Sequence, residues 1–457
     1  MVSGIGHPDM IVDPEEVRRL IDAGTPRALY AGKRVLVLTP DTTRTCPLPM
    51  MIQSLQETVG PHCVALDFMV ALGTHPPMPE ADILKLYGIS ADDRKKQFAG
   101  CRFLNHRWDL PDTLTTIGYL EAPEIEAFSQ GRLRERVPVA INRAIFDYDL
   151  VLILGPVFPH EVVGFSGGAK YLFPGIAGGD FLHFFHWLGA VITCAGIIGT
   201  KNTMVRGVIH RALEMVDVPV HNIAMVVTPA NQLCGFYVGH VIDSWSQAAD
   251  LSDRVHIVYR EASFPVVLGQ APAMYDEIWV AGKVMYKLEQ VVADGGRLII
   301  YGPHITHISR TWGKWIEKVG YHVRDYFLKQ IDAFRDVPRG VLEPGGAPGP
   351  ESEGGLRGLI ERSGVAIQAV SVDERDRAAD LAHQLDRARD GHRPPRAGRA
   401  RDPPRCPPPR PEAPALQPLR QQRRSGASGR TSSPGRPCSA GPRQPALWRD
   451  IGGCPWQ

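Results

Sequence analysis

The sequence predicts an α/β protein: two α/β domains with mainly parallel sheets, a ligand site in the cleft between them, and a disordered Arg/Pro-rich C-terminal tail. Three observations carry this reading. Short apolar, β-branched runs alternate with segments of helical period from residue 13 to residue 323, the pattern of repeated strand–helix units. Polar clusters follow three of the apolar runs directly: DTTR (41–44), GTH (73–75) and PH (159–160). In open parallel sheets ligands sit beyond the carboxyl ends of the strands, so one sheet would gather these distant clusters on one rim. The alternation then restarts near Arg260, which gives a second unit, and sites are common where two such units meet. The expected boundaries are 1–258 and 259–343, the latter with an extension as far as 389, followed by a tail over 390–457.

Taken in order, DPEEVRRLIDAG (13–24) reads as a helix. Asp13 can cap it, Pro14 suits the first turn, Val17, Leu20 and Ile21 share a face, and Gly24 ends it. KRVLVLTPD (33–41) reads as a buried strand and LPMMIQSLQETVG (48–60) as a helix. CVALDFMVALGTH (63–75) is a strand and MPEADILKLYG (78–88) a helix. DYDLVLILGPVFPH (147–160) repeats a strand and its exit. GGDFLHFFHWLGAV (178–191) and MVRGVIHRALEMV (204–216) read as helices, and IAMVVTP (223–229) as a strand. In the second unit YDEIWVAGK (275–283) reads as a strand ending at Lys283 and VMYKLEQVV (284–292) as a short helix. GGRLIIYGP (295–303) is a strand entered by a glycine turn, and WGKWIEKVGYHV (312–323) a helix.

Bulk composition narrows the class. The 457 residues are 44% hydrophobic, enough for a sizeable core, and a formal net charge of +2 gives no general pull toward nucleic acid or anionic membrane. The longest apolar run, FFHWLGAVITCAGIIG (184–199), holds a histidine and three glycines and falls short of the ~18 clean apolar residues of a spanning helix. The eight cysteines show no CxxC spacing, so reduced thiols in a cytoplasmic setting are expected. No basic stretch followed by an apolar core opens the chain, so no secretory signal is expected. Beyond Pro344 the character changes. DERDRAADLAHQLDRAR (373–389) suits a solvated helix, whereas the Arg/Pro-rich stretch after Gly391 cannot pack a core. Its mixture of Arg, Pro, Gly, Ala and Ser is also that of a GC-rich gene read out of frame.

Chemistry concentrates in PHEVVGFSGGAKYLFPGIAG (159–178). GFSGGAK is not a nucleoside-triphosphate loop, because Ala169 stands before the lysine and Tyr171 replaces the Ser/Thr that would hold magnesium. Ser166, Gly167 and Gly168 offer unobstructed backbone N–H groups, which suits either a phosphate nest or a tight turn. A lysine among apolar residues, Lys170, needs a partner or a chemical task. His183 and His186 are one helical turn apart with no third ligand nearby, so a metal here would need other donors. Arg44, with Asp41 three residues before it, has the planar fork that recognises carboxylates. His75 and His160, at two different strand exits, can serve as general acids or bases.

Four blocks, PDTTRTCPLP, ALGTHPPM, PHEVVGFSGGAKYLFPGIAG and HFFHWLGAV, resemble in order and spacing the signatures of the nickel-pincer lactate racemase family. The resemblance runs from about residue 35 to about residue 300, and the spacing His160–Lys170–His186 is its most specific part. It implies a racemase or epimerase of small 2-hydroxy acids. The cofactor implied is nickel held by a pyridinium-3-thioamide-5-thiocarboxylic acid mononucleotide that accepts and returns hydride. Lys170 would be the covalent attachment point and His186 the last nickel ligand. His75 and His160 would be the paired acid/base residues, and Arg44, with Asp41 beside it, would grip the substrate carboxylate. Ser166, Gly167 and Gly168 would lie near the cofactor phosphate, and Lys283, which matches a lysine of the second domain, would be a further cofactor-binding residue. Val280 stands where the family carries a glutamine. Proteins that build the cofactor would be partners, and neither nucleic acid nor membrane would be. The alternatives are a phosphate- or nucleotide-binding protein without redox chemistry and an inactive paralogue.

Overall fold

Strands that are apolar on both faces need cover on both sides, and that requirement organises the molecule. The computed structural model describes residues 2–345 apart from 321, 323 and 335, and two further strands at Val365–Ile367 and Ala446–Trp448. The first strands in chain order are β1 (Ser3–Gly6), β2 (Arg34–Thr39), β3 (Ala65–Val70) and β4 (Phe103–Asn105). A separate antiparallel hairpin follows, β5 (Leu114–Leu120) with β6 (Val137–Asn142). Then come β7 (Leu150–Pro156), the short pair β8 (Pro159–His160) and β9 (Gly164–Phe165), β10 (Val220–Val227) and β11 (Leu233–His240). The central sheet has the order β1-β11-β10-β7-β2-β3-β4. Its five members from β10 to β4 run parallel, and β11 and β1 close one edge antiparallel.

Alternate residues of the inner strands feed two cores. Val35, Val37, Phe68, Val70, Leu152 and Leu154 pack with α1 (Pro14–Gly24), α2 (Leu48–Thr58) and α3 (Glu80–Tyr87). Leu36, Leu38, Met69, Val151 and Ile153 join the opposite layer. That layer holds α5 (Ala122–Phe128), α6 (Gly179–Ile192), α7 (Cys194–Ile197) and α8 (Met204–Leu213), and α4 (Ala91–Lys95) precedes them in the chain. Each fully buried Leu, Ile, Val or Phe contributes roughly 1.5–3 kcal/mol, so the two layers fix which strand faces point where. α1 begins as its sequence requires: the Asp13 side chain accepts the Glu16 N–H at 2.9 Å, and Pro14 takes the first turn. The apolar run that includes α6 is a core helix, with nine buried residues spread round it. No helix among the described residues is long and apolar enough to cross a membrane.

A second α/β module continues the chain. After α9 (Val241–His256) and β12 (Ile257–Tyr259) come β13 (Phe264–Gln270), α10 (Ile278–Leu288) and β14 (Val292–Tyr301), with β13 and β14 parallel. Then follow α11 (Gly313–Val319) and α12 (Arg324–Leu328). Here one expectation is corrected. Residues 275–283 are not a strand: Ile278–Leu288 is a single helix that buries Ala281, Val284 and Met285 at helical spacing. Its continuous apolar start, IWVA, hides the period. The strand of this module is FPVVLGQ (264–270) instead, at a sheet edge where Pro265 is tolerated. The Arg/Pro-rich segment 390–457 and the helix expected over 373–389 lie outside the described residues, except for Ala446–Trp448, which pairs antiparallel with β12.

Candidate active site

The chain leaves β2 to build β3 and β4 on one side and returns to β7 and β10 on the other. The connections after β2 and β7 therefore diverge above neighbouring strands, which opens a crevice at their carboxyl ends. A cavity of about 370 Å³ lies there. Asp41 and Arg44 reach it from the end of β2, His75 from the end of β3, and His160, Ser166, Gly167 and Lys170 from the segment after β7. His186 enters from α6 and Lys283 from α10. Of the sequence-predicted residues only Gly168 does not line the cavity. Its φ is +59°, and a Cβ there would lie 2.9 Å from the Trp245 ring, so close packing requires the glycine.

The first rim is a histidine–carboxylate pair. Asp41 Oδ2 lies 2.5 Å from His75 Nδ1, and Asp41 Oδ1 accepts the Thr43 N–H at 3.0 Å and the Thr43 hydroxyl at 2.5 Å. Burial pushes the Asp41 carboxyl up, but the His75 bond and charge, Thr43 and the Arg44 guanidinium outweigh it and hold it at about 2. The Arg44 guanidinium donates to the Thr43 carbonyl and hydroxyl at 3.3 and 3.4 Å, which orients it at the cavity wall.

The glycine stretch is clamped from below. Ser166 N–H donates to the Phe158 carbonyl at 2.7 Å, while its hydroxyl accepts the Phe158 N–H at 2.9 Å and donates to the Pro156 carbonyl at 3.4 Å. Both polar groups of Ser166 are thus spent on the turn. Gly167 has φ +78°, and a Cβ on it would meet Val157 at 2.7 Å. Arg206, buried in α8, donates to the carbonyls of Phe165 and Gly167 and lies 4.1 Å from the Trp245 ring. No carboxylate is paired with it among the described ion pairs, and burial brings it down to about 9.

Lys170 and His186 enter the same cavity. Burial, then the Arg44 charge, brings the Lys170 ammonium down to about 7, so a large share of the amine is neutral near neutral pH. Burial and the Lys170 charge bring His186 down to about 3, which keeps its imidazole neutral. A neutral amine is a nucleophile and a neutral imidazole is a metal ligand. No group of three or more His, Cys, Asp or Glu side chains able to hold a metal occurs among the described residues. A metal at His186 would take its remaining ligands from a bound organic group.

His160 and Lys283 complete the ring, joined by a residue that the sequence reading passed over. Glu161 Oε1 lies 3.7 Å from Lys283 Nζ, and Glu161 Oε2 lies 3.7 Å from His160 Nδ1. Burial disfavours the Glu161 carboxylate, but His160, Lys283 and Lys287 outweigh it and hold the group well below the usual range. Burial drives His160 well below its ordinary value. Trp279 and Trp312 were also missed, and His183, weighed in the sequence only as half of a metal pair with His186, stands beside them. They line the cavity, with the His183 and Trp312 rings edge-on at 6.2 Å. The signal for Glu161 was its place next to His160 at a strand exit. Arg206 gave none, since a lone arginine in an amphipathic helix reads as exposed.

Residues 15–195 match the family described as the lactate racemase N-terminal domain. A curated lactate racemase from Thermoanaerobacterium thermosaccharolyticum is 23% identical over 288 residues, 61% of this chain, and the chain spans 62% of that relative's length. A solved protein from Thermotoga maritima superposes with a TM-score of 0.69 at 27% identity, covering 80% of this chain and 90% of that one. The lactate racemase apoprotein from T. thermosaccharolyticum shares the fold, with a TM-score of 0.58 at 18% identity over 73% of this chain and 78% of that one. All the cavity residues named above from Asp41 to His186 fall within the matched segment. On this match, residues 15–195 are similar to the lactate racemase N-terminal domain.

Proposed function

We propose that the protein is a racemase or epimerase of small 2-hydroxy acids that works with a nickel-pincer nucleotide. One observation carries the reading: a carboxylate-gripping arginine, two histidines, a lysine with a depressed pKa and a neutral, metal-competent histidine line one cavity. The residues fit the cofactor. The neutral Lys170 amine can form the covalent link, which removes its charge and the cost of burying it, and the neutral His186 imidazole can take the last nickel position. When bound, the cofactor supplies the hydride acceptor that the side chains lack. The bare glycine stretch does not by itself support a phosphate-binding reading, because Ser166 has both polar groups bonded to backbone.

The side chains then have separate tasks. Arg44 and Lys283 hold the substrate carboxylate by charge and hydrogen bonds. Asp41 accepts the His75 Nδ1 proton, which leaves Nε2 of that ring with its lone pair for a hydroxyl proton. His160 does the same work on the second face of a planar 2-oxo acid. Two rings are required because the hydroxyl lies on opposite sides in the two enantiomers. On this reading residues 1–258 carry the proton and attachment chemistry, and residues 259–343 supply Lys283 and the roof.

Intact-mass spectrometry of protein produced together with cofactor-biosynthesis proteins tests the proposal. A cofactor-sized adduct that disappears in Lys170→Ala, and nickel that disappears in His186→Ala while the adduct stays, is the expected result. An unmodified, nickel-free chain from that expression would end it. A panel of chiral 2-hydroxy acids then defines the substrate.

A further inference from the structure

The proton chemistry above leaves one buried acid without a task. Glu161 follows His160 in the chain and lines the same cavity. Carboxylate and imidazole are both almost fully buried. Neither Glu161 Oε2 nor His160 Nε2 has a hydrogen-bond partner among the described residues. An ionised, buried oxygen without a donor is costly, so its persistence asks for a reason.

The reason lies in the His160 ring. Its Nδ1 accepts the Val162 N–H at 3.1 Å. That bond puts the ring proton on Nε2, and a neutral ring protonated there cannot accept a second proton at Nε2. To take up a hydroxyl proton at Nε2, the ring must carry its own proton on Nδ1, and that N–H then needs an acceptor. Val162 N–H is a donor and cannot serve. Glu161 Oε2, 3.7 Å from Nδ1, can. The same relation is already closed at the other histidine, where Asp41 Oδ2 sits 2.5 Å from His75 Nδ1.

We propose that Glu161 is the positioning residue of His160: it accepts the Nδ1 proton, and so selects the tautomer that acts as a base at Nε2. Lys283, 3.7 Å from the other carboxylate oxygen, holds Glu161 in place. The proton count balances. A ring with its proton on Nδ1 takes the hydroxyl proton at Nε2 and becomes an imidazolium beside the Glu161 carboxylate. Returning that proton from Nε2 to oxygen restores the neutral ring, and Glu161 stays ionised throughout. The inference rests on the reading of His160 as an acid/base residue.

The test compares the wild type with Glu161→Gln and Glu161→Asp. Nitrogen NMR of the His160 ring, in protein without cofactor at neutral pH, reports the proton occupancy of Nδ1. The wild type should show partial occupancy from exchange between the two tautomers. Glu161→Gln should move the signal to that of a bare Nδ1, and Glu161→Asp should restore part of the shift. In loaded protein, Glu161→Gln should lower kcat roughly 100-fold with KM changed by no more than about twofold. Coincident Nδ1 signals in the wild type and Glu161→Gln overturn the proposal, and so does a loss of turnover with an unmoved Nδ1 signal, which marks a purely structural role. If the loaded wild type turns over no hydroxy acid, the proposed function fails, while the ring measurement still decides what Glu161 does.

Discussion

Burial and the Arg44 charge bring the Lys170 ammonium down to about 7, and that is measurable without any cofactor. Its rate of acylation, followed by peptide mass spectrometry, should climb with pH to about 7 and then level off. An ordinary lysine keeps climbing toward ~10.4. Arg44→Leu should push the break upward. A Lys170 profile like that of surface lysines would contradict the burial argument. Asp41 gives a stability prediction. Its carboxyl lies at about 2 in the folded protein against 3.8 in the open chain. A depressed acid stabilises the fold above its unfolded pKa, and that stabilisation is lost as pH falls through the folded value. Asp41→Asn should therefore cost about 2 kcal/mol at neutral pH and progressively less in acid, read by urea unfolding across that range.

At the scale of elements, the segment after β7 is over-determined. Gly164 has φ +87°, and a Cβ on it would lie 1.8 Å from the Thr200 carbonyl oxygen, a backbone atom that cannot swing aside. Gly164→Ala should cost about 1–3 kcal/mol or more in chemical denaturation. Arg206→Lys should weaken the same segment from below, since an ammonium cannot span the Phe165 and Gly167 carbonyls with a planar fork. The elements differed in how well they could be read. β2 and β7 were legible because strands covered on both faces are nearly continuous runs of Val, Ile and Leu, and β3 because Leu66, Phe68, Met69 and Val70 keep it apolar around Asp67. α1 was legible through Asp13 and Pro14. α10 was not, because four apolar residues at its start mimic a strand. The β5–β6 hairpin escaped because β5 buries only Leu120 and Pro138 interrupts β6.

For the whole molecule, the cavity is a meeting place of distant segments, and the sequence could be read that far because strand exits in a parallel sheet share a rim. Asp41, His75 and His160 were recognisable on that ground. Trp279 and Trp312 belong to the site only through tertiary packing, which local pattern does not encode. The cavity's cations make a general prediction. Arg44 and Lys283 line it and keep their charge when Lys170 is linked, so turnover should require an anionic substrate. Arg44→Leu should raise KM roughly 100-fold. The amide of a good substrate should fail in the same steady-state assay, and equal turnover of acid and amide would refute carboxylate recognition.

The origin of Trp279 and Val280 on α10, rather than on the rim of the large sheet, has a practical consequence. The groups that would move protons and the groups that would touch a substrate's tail come from different elements of the chain. Evolution, or an engineer, could retune which acid is accepted by changing Trp279 and Val280 alone, with Lys283 on the same helix kept in place.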